Sequence, residues 1–192
     1  PGPSAHPGWL CRDKPSMKDA LRAAGIPCAQ SRSADSFVTA MEFARHVGFP
    51  LIVKPRAGAG AAGTTRADNF ATLEQALRAA GVGNGASVAL EEFVAGHEGF
   101  LDTIAINGDV GHEFVSHYYP NVLEAMRERW ISPQIVATNR IHEPGYDEVK
   151  EMGARVVAAL GIGTSATHME WFFGPKGLRF SEIGCRPPGV GQ

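Results

Sequence analysis

Two glutamates near the C-terminus, Glu170 and Glu182, stand twelve residues apart, each inside an apolar run. The runs cover 166–173 and 178–185, and Gly174–Pro175–Lys176–Gly177 separates them. Glycine and proline between two such runs predict a β-hairpin. Side chains alternate faces along a strand, so residues opposed across a hairpin keep a constant index sum. An odd-numbered loop centred on Lys176 sets Glu170 opposite Glu182, with Phe172, Phe180, Gly184 and Arg186 on the same face. A two-residue turn at Pro175–Lys176 sends the carboxylates to opposite faces, so the odd loop is the expectation. Facing acids repel unless something offsets their charge. Mg²⁺ typically takes one or two carboxylates and completes its shell with water and substrate phosphates. Arg186 can clamp a phosphate from the same face. The plainer alternative is a solvated hairpin with two surface acids and an arginine, and the spacing alone leaves both open.

A second candidate centre lies earlier. Leu51–Ile52–Val53 reads as a short buried strand that delivers Lys54, and a loop rich in glycine and alanine follows, including Gly58, Gly60 and Gly63. Such a loop exposes backbone N–H groups that cradle phosphate oxygens. The three glycines fit the string G-x-G-x-x-G, but no helix opens on the last of them and no acidic ribose partner follows in a later strand. No Gly-Lys-Ser/Thr follows either, so it is not a Walker loop. A flexible hairpin tip is the plain alternative.

These residues need elements to hold them. Asp13 can cap a helix from Lys14, with Pro15 in its first turn and Met17, Leu21 and Ala24 on one face. A short strand is expected near Cys28, a helix over 33–47, and a helix over 70–80 capped by Asn69. A strand over 87–91 runs into Glu91–Glu92–Phe93–Val94. Alternation over 100–106, Asn107–Gly108–Asp109 and a return over 110–119 predict a hairpin. A helix over 122–129, a strand over 135–138 and a helix over 146–160 complete the pattern. Mixed helices and strands followed by antiparallel hairpins indicate an α+β chain in two lobes.

The totals set limits. The chain has 192 residues, 44% of them hydrophobic, enough for one sizeable domain or two small lobes. Its net charge of −2 lacks the basic excess of a nucleic-acid binder. No apolar run approaches the roughly 20 residues that span a bilayer. Three widely spaced cysteines, Cys11, Cys28 and Cys185, give no disulfide framework and suit a reducing cytoplasm. The seven histidines show no zinc spacing. Residues 1–10 read as a linker or cut end, and the missing initiator Met points to a fragment.

Taken together, these stations resemble the ATP-grasp superfamily, over nearly the whole chain. Asp13–Lys14 with Gly25–Ile26–Pro27 resembles the family's first ATP-contacting lysine and its helix. The stretch from Phe49 to Pro55 resembles the strand of the second lysine, Lys54, with the glycine loop as a mobile phosphate lid. Glu91–Glu92–Phe93–Val94 looks like the adenine hinge, where Glu91 and hinge backbone groups would read the adenine amino group. Glu98 matches the acid that takes ribose hydroxyls, Glu170 and Glu182 the metal-holding pair, and Arg186 the arginine near the reacting phosphate. The family usually carries Asn where this chain has Gly184, so one metal ligand is missing and a water would take its place. His168–Met169–Glu170 looks closer to the amino-acid ligases than to biotin carboxylase, and His168 shares the face of Glu170.

The resemblance implies an ATP-grasp fold divided into 11–94, with the lid, and 95–192, with the metal-binding hairpin, two lobes clasping nucleotide and no N-terminal substrate-side domain. It implies a cytoplasmic ligase core dependent on ATP and Mg²⁺ or Mn²⁺, which activates a small carboxylate as an acyl phosphate for attack by an amine. Nucleic acid and membrane are not expected partners, and a homodimer of the full-length protein is compatible. A biotin-carboxylase-like or purine-pathway enzyme is the alternative within the family, and a non-catalytic ATP-binding module the alternative outside catalysis.

Overall fold

The structure is a computed structural model that describes residues 2–57, 63–128, 130–132, 134–187 and 189; Gly58 and Gly60 lie outside the described residues. Among the described residues the chain forms two antiparallel sheets. The smaller contains β1 (Ser31–Ala34), β2 (Leu51–Pro55), β3 (Thr65–Ala67) and β4 (Val88–Glu92), in the order β1-β4-β2-β3. Helices α3 (Phe37–Val47) and α4 (Phe70–Ala79) pack on it. The larger contains β5 (His97–Ile106), β6 (Asp109–Tyr119), β7 (Gln134–Ala137), β8 (Ser165–Gly174) and β9 (Gly177–Gly184), in the order β7-β6-β5-β8-β9. Helices α1 (Ala5–Leu10), α2 (Lys14–Ala23), α5 (Val122–Arg127) and α6 (Asp147–Ala159) complete the α+β fold. Among the described residues no helix is long and apolar enough to cross a membrane.

Local chemistry explains the helix starts. Asp13 accepts from the Ser16 N–H to cap α2, and Pro15 sits in the first turn where its missing N–H costs nothing. Ser36 and Asn69 cap α3 and α4 in the same way, Asn69 through a reciprocal bond with Thr72. Each cap contributes about 1 kcal/mol.

Two cores follow. One lies wholly within the smaller unit, from Ala34 to Leu90. The other joins Leu10, Met17, Leu21 and Ile26 to Leu101, Val156, Met169, Phe180 and Ile183. The first two helices therefore pack with the larger sheet, across the sequence division at residue 94. Helix α6 lies so close on β5 that a Cβ at Gly153 would come 2.3 Å from Leu101 Cδ2. That contact is what glycine, costing about 1 kcal/mol in a helix, permits.

Several expectations change. Residues 1–10 are not a structureless linker: α1 forms there, with Pro7 and Leu10 buried. Ser33 and Ala34 belong to strand β1, and α3 begins only at Phe37. Cys28 makes a single bridge to Phe180 rather than a strand of its own. Thr65–Ala67 pairs with β2 as a strand whose bounds the sequence leaves open.

The hairpin corrects the expected loop. Only Pro175 and Lys176 separate β8 from β9, an even loop, and it pairs Phe173 with Leu178 and Trp171 with Phe180. Unbroken, this register would place Ser181 opposite Glu170. The register instead shifts after Trp171, and Glu170 pairs with Glu182. Ser181 is the extra residue of a β-bulge. Phe180 consequently packs in the core with Trp171, not on the face it was expected to share with Glu182.

Candidate functional site

A cavity of about 850 Å³ opens between the sheets. Lys54, Glu91, Glu92, Phe93, Val94, Glu98, Glu170, Glu182 and Arg186 all line it, as do Lys18, His168 and Gly184. Nine of the residues singled out in the sequence thus border one space. Lys14 reaches it through Glu182, and Gly63, in a left-handed turn (φ 74°), precedes the lining residue Thr64.

The smaller sheet supplies one charged cluster. Glu91 pairs with Ile52 in the ladder, so it shares a face with Lys54, two residues along β2. Its Oε2 lies 2.9 Å from Lys54 Nζ and 2.8 Å from Lys18 Nζ. Burial alone would push the Glu91 carboxyl up, but the Lys18 and Lys54 ammoniums outweigh it and hold the group down to about 2. Burial lowers the Lys18 ammonium, and Glu91 offsets only part of that. For Lys54 burial acts the same way, but Glu91, Glu182 and Glu170 together raise it. Glu92 lines the cavity while its carboxylate accepts from the Gln30 N–H and pairs with Lys176. That ties the end of β4 to the tip of the β8–β9 hairpin. Phe93 carries the Arg66 guanidinium 4.5 Å above its ring.

The larger sheet supplies the acids. Glu98 is buried, and its Oε2 accepts from the Val122 N–H at 2.7 Å. Burial first, then the Glu170 charge, push its carboxyl up to about 7. Glu170 and Glu182 face each other across β8 and β9, and Lys14 Nζ lies 3.2 Å from Glu182 Oε1. Burial and the charge of Glu170 push Glu182 up. Glu170 moves the other way: burial would raise it, but His168 and then Lys54 and Lys14 hold it down. His168 pairs with Asp102 in the β5–β8 register, Nδ1 2.6 Å from Oδ1, and its Nε2 lies 3.7 Å from Glu170 Oε1. Burial would lower this imidazole, yet Asp102 and Glu170 raise it to about 9. Arg186 is exposed at the rim, and its Nη1 donates to the Pro187 carbonyl at 2.8 Å.

Two participants escaped the sequence reading. Lys18 is one turn beyond Lys14 on α2, and a helical lysine ordinarily points to water. Asp102 gave no local signal, since only the strand register brings it to His168. A hard divalent cation suits the opposed Glu170 and Glu182, whose oxygens are the donors such an ion takes and whose mutual repulsion it would relieve. Among the described residues no three His, Cys, Asp or Glu side chains gather to hold a metal, so other oxygens would have to complete the shell.

Known proteins share this fold. An L-arginine-specific L-amino acid ligase of Bacillus subtilis is 26% identical over 99% of this chain and 46% of its own length. The carbamoyl phosphate synthase large chain of Rubrobacter xylanophilus is 23% identical over 91% of this chain and 17% of its own. The chain thus spans less than half the length of either relative. The crystal structure of an L-amino acid ligase from Bacillus licheniformis superposes with a TM-score of 0.78 at 22% identity, covering all of this chain and 44% of that one. D-alanine–D-alanine ligase from Bacillus anthracis gives 0.72 at 17%, covering 97% and 60%. The family model of the ATP-grasp domain matches residues 19–192. With two sheets around one charged cavity and that match over most of its length, the chain belongs to the ATP-grasp family.

Proposed function

We propose that the chain is the nucleotide-binding core of a ligase that uses ATP and Mg²⁺ or Mn²⁺ to activate a small carboxylate as an acyl phosphate for attack by an amine. The observation that carries this reading is the convergence of Lys54 and Glu91 from one sheet with Glu98, Glu170 and Glu182 from the other on a single cavity. In this reading Lys14 and Lys54 neutralise phosphates as point charges. Glu91 and the backbone of Glu92, Phe93 and Val94 read adenine, and Glu98 takes ribose hydroxyls. The glycines Gly58, Gly60 and Gly63 belong to the phosphate loop. Glu170 and Glu182 hold the cation, which when bound neutralises charge on the phosphates. Arg186 holds the phosphoryl group in transfer.

The substrate carboxylate oxygen bonds to the terminal phosphorus as its bond to ADP breaks. The amine nitrogen then bonds to the acyl carbon, phosphate leaves, and the amine gives up a proton. The amino-acid ligase among the relatives supports amino acids as the substrate class. The test is ADP release by the full chain with ATP, Mg²⁺ and a panel of amino acids, singly and in pairs. Release that requires a carboxylate substrate and an amine is expected. ATP binding without release on any pair would overturn the ligase reading and leave a nucleotide-binding module.

A further inference from the structure

Lys18 is the charge that the reading above leaves without a purpose. It is 1% exposed, on the same buried side of α2 as Met17 and Leu21, where an apolar side chain would serve packing. A buried ammonium is costly unless it is paired. Its pairing is specific: Lys18 Nζ and Lys54 Nζ both approach the same oxygen of Glu91, Oε2, at 2.8 and 2.9 Å. A carboxylate has two acceptor oxygens. With both cations on Oε2, Oε1 is the oxygen left for another donor, and Lys18, Lys54 and Glu91 all line the cavity.

We propose that Lys18 is a positioning residue for base selection: it fixes Glu91 so that its second oxygen accepts from an exocyclic amine, which favours adenine over guanine. The inference rests on the nucleotide-binding reading above. Adenine presents an amino group at the position where guanine presents a carbonyl oxygen. A fixed carboxylate accepts from the first and repels the second. Two cations on one carboxylate also let Lys54 turn to phosphates while Glu91 keeps a partner. Were Lys54 the only cation, each phosphate contact it made would leave a buried carboxylate uncompensated, and Glu91 would follow Lys54 rather than hold its place.

The experiment is calorimetric titration of the full chain with ATP and with GTP, each with Mg²⁺. Lys18→Met, with Lys18→Gln as the second variant should the first not fold, is expected to lower the ATP-over-GTP affinity ratio by about tenfold or more, the scale of a hydrogen bond to a charged group. In a Glu91→Gln background the same change should move the ratio by less than about twofold, because Lys18 acts through Glu91. An unchanged ratio in folded Lys18→Met or Lys18→Gln would overturn the inference, as would an equal loss in both backgrounds. A wild-type chain that binds neither nucleotide would instead overturn the nucleotide reading itself.

Discussion

Lys14 and Lys18 stand one helical turn apart on α2 and hold acids from different sheets: Lys14 pairs with Glu182 of the larger, Lys18 with Glu91 of the smaller. Residues four apart on a helix lie on one face. Helix α2 therefore sets where the two halves of the cavity stand relative to each other. Its own position is fixed by the core below it and by Asp13, which caps the helix and accepts from Arg56 Nε and Nη2.

Among the described residues Lys54 forms its ion pair with Glu91 alone, and Glu91 keeps Lys18 when Lys54 is lost. Lys54→Ala should therefore spare the fold and weaken ATP binding by about 1–3 kcal/mol, the loss of charge-assisted bonds to phosphate. Calorimetry that finds an unaltered affinity would remove Lys54 from the site.

Glu170→Gln and Glu182→Gln should each reduce the part of ATP affinity that depends on Mg²⁺ and leave metal-free binding nearly unchanged. The double variant should lose less than the sum, since both side chains act on one ion. Titrations with and without Mg²⁺ decide it: full additivity speaks against a shared cation.

Glu98 should tie nucleotide affinity to pH. With its carboxyl at about 7, it holds a proton below that value and cannot accept from ribose hydroxyls with both oxygens. Affinity should fall as pH drops through about 7, and Glu98→Gln should flatten the profile. The sign for stability is opposite. Between the ordinary 4.5 and about 7 the folded protein keeps a proton that the unfolded chain has released, so Glu98 makes the free protein less stable as pH rises across that window. Thermal unfolding across pH 4.5 to 7, with and without the substitution, would expose the wrong sign.

Gly184 has room for a larger side chain. Its backbone is not left-handed, and a Cβ there would meet first the Arg186 Cγ at 3.4 Å, part of a flexible side chain. Gly184→Asn should add an oxygen near the two acids and tighten Mg²⁺-dependent ATP binding severalfold. Equal or weaker binding by a variant of unchanged thermal stability would count against the cation standing beside Gly184.

Legibility in the sequence followed the range of the interactions. Caps at Asp13 and Asn69 and the turn at Asn107–Gly108 are local, and the helices and hairpin they mark are present. The pairing of Glu170 with Glu182 was anticipated for a different reason than the one the chain uses, because a bulge at Ser181 has no signature in residue type. Strand β3 has three residues, too few for alternation to fix its bounds. Helix α1 hides behind Pro3, Pro7 and Gly8. Lys18 and Asp102 acquire their partners only through contacts 73 and 66 residues away in sequence.

The two cores carry one more consequence. The unit from β1 to β4 closes its own apolar interior, and it is entered and left at one place: Ser31 pairs with Glu91, and the Glu92 N–H donates to the Gln30 carbonyl. In engineering terms it is a cassette with adjacent ends. Replacing 31–92 with the matching stretch of another family member should exchange the strands bearing Lys54 and Glu91 in one step, while the paired acids of β8 and β9 stay on their original frame. Such a graft has two junctions a few ångströms apart, and their neighbours Lys18 and Lys176 would report at once, by ion pairing or its loss, whether the new unit is seated.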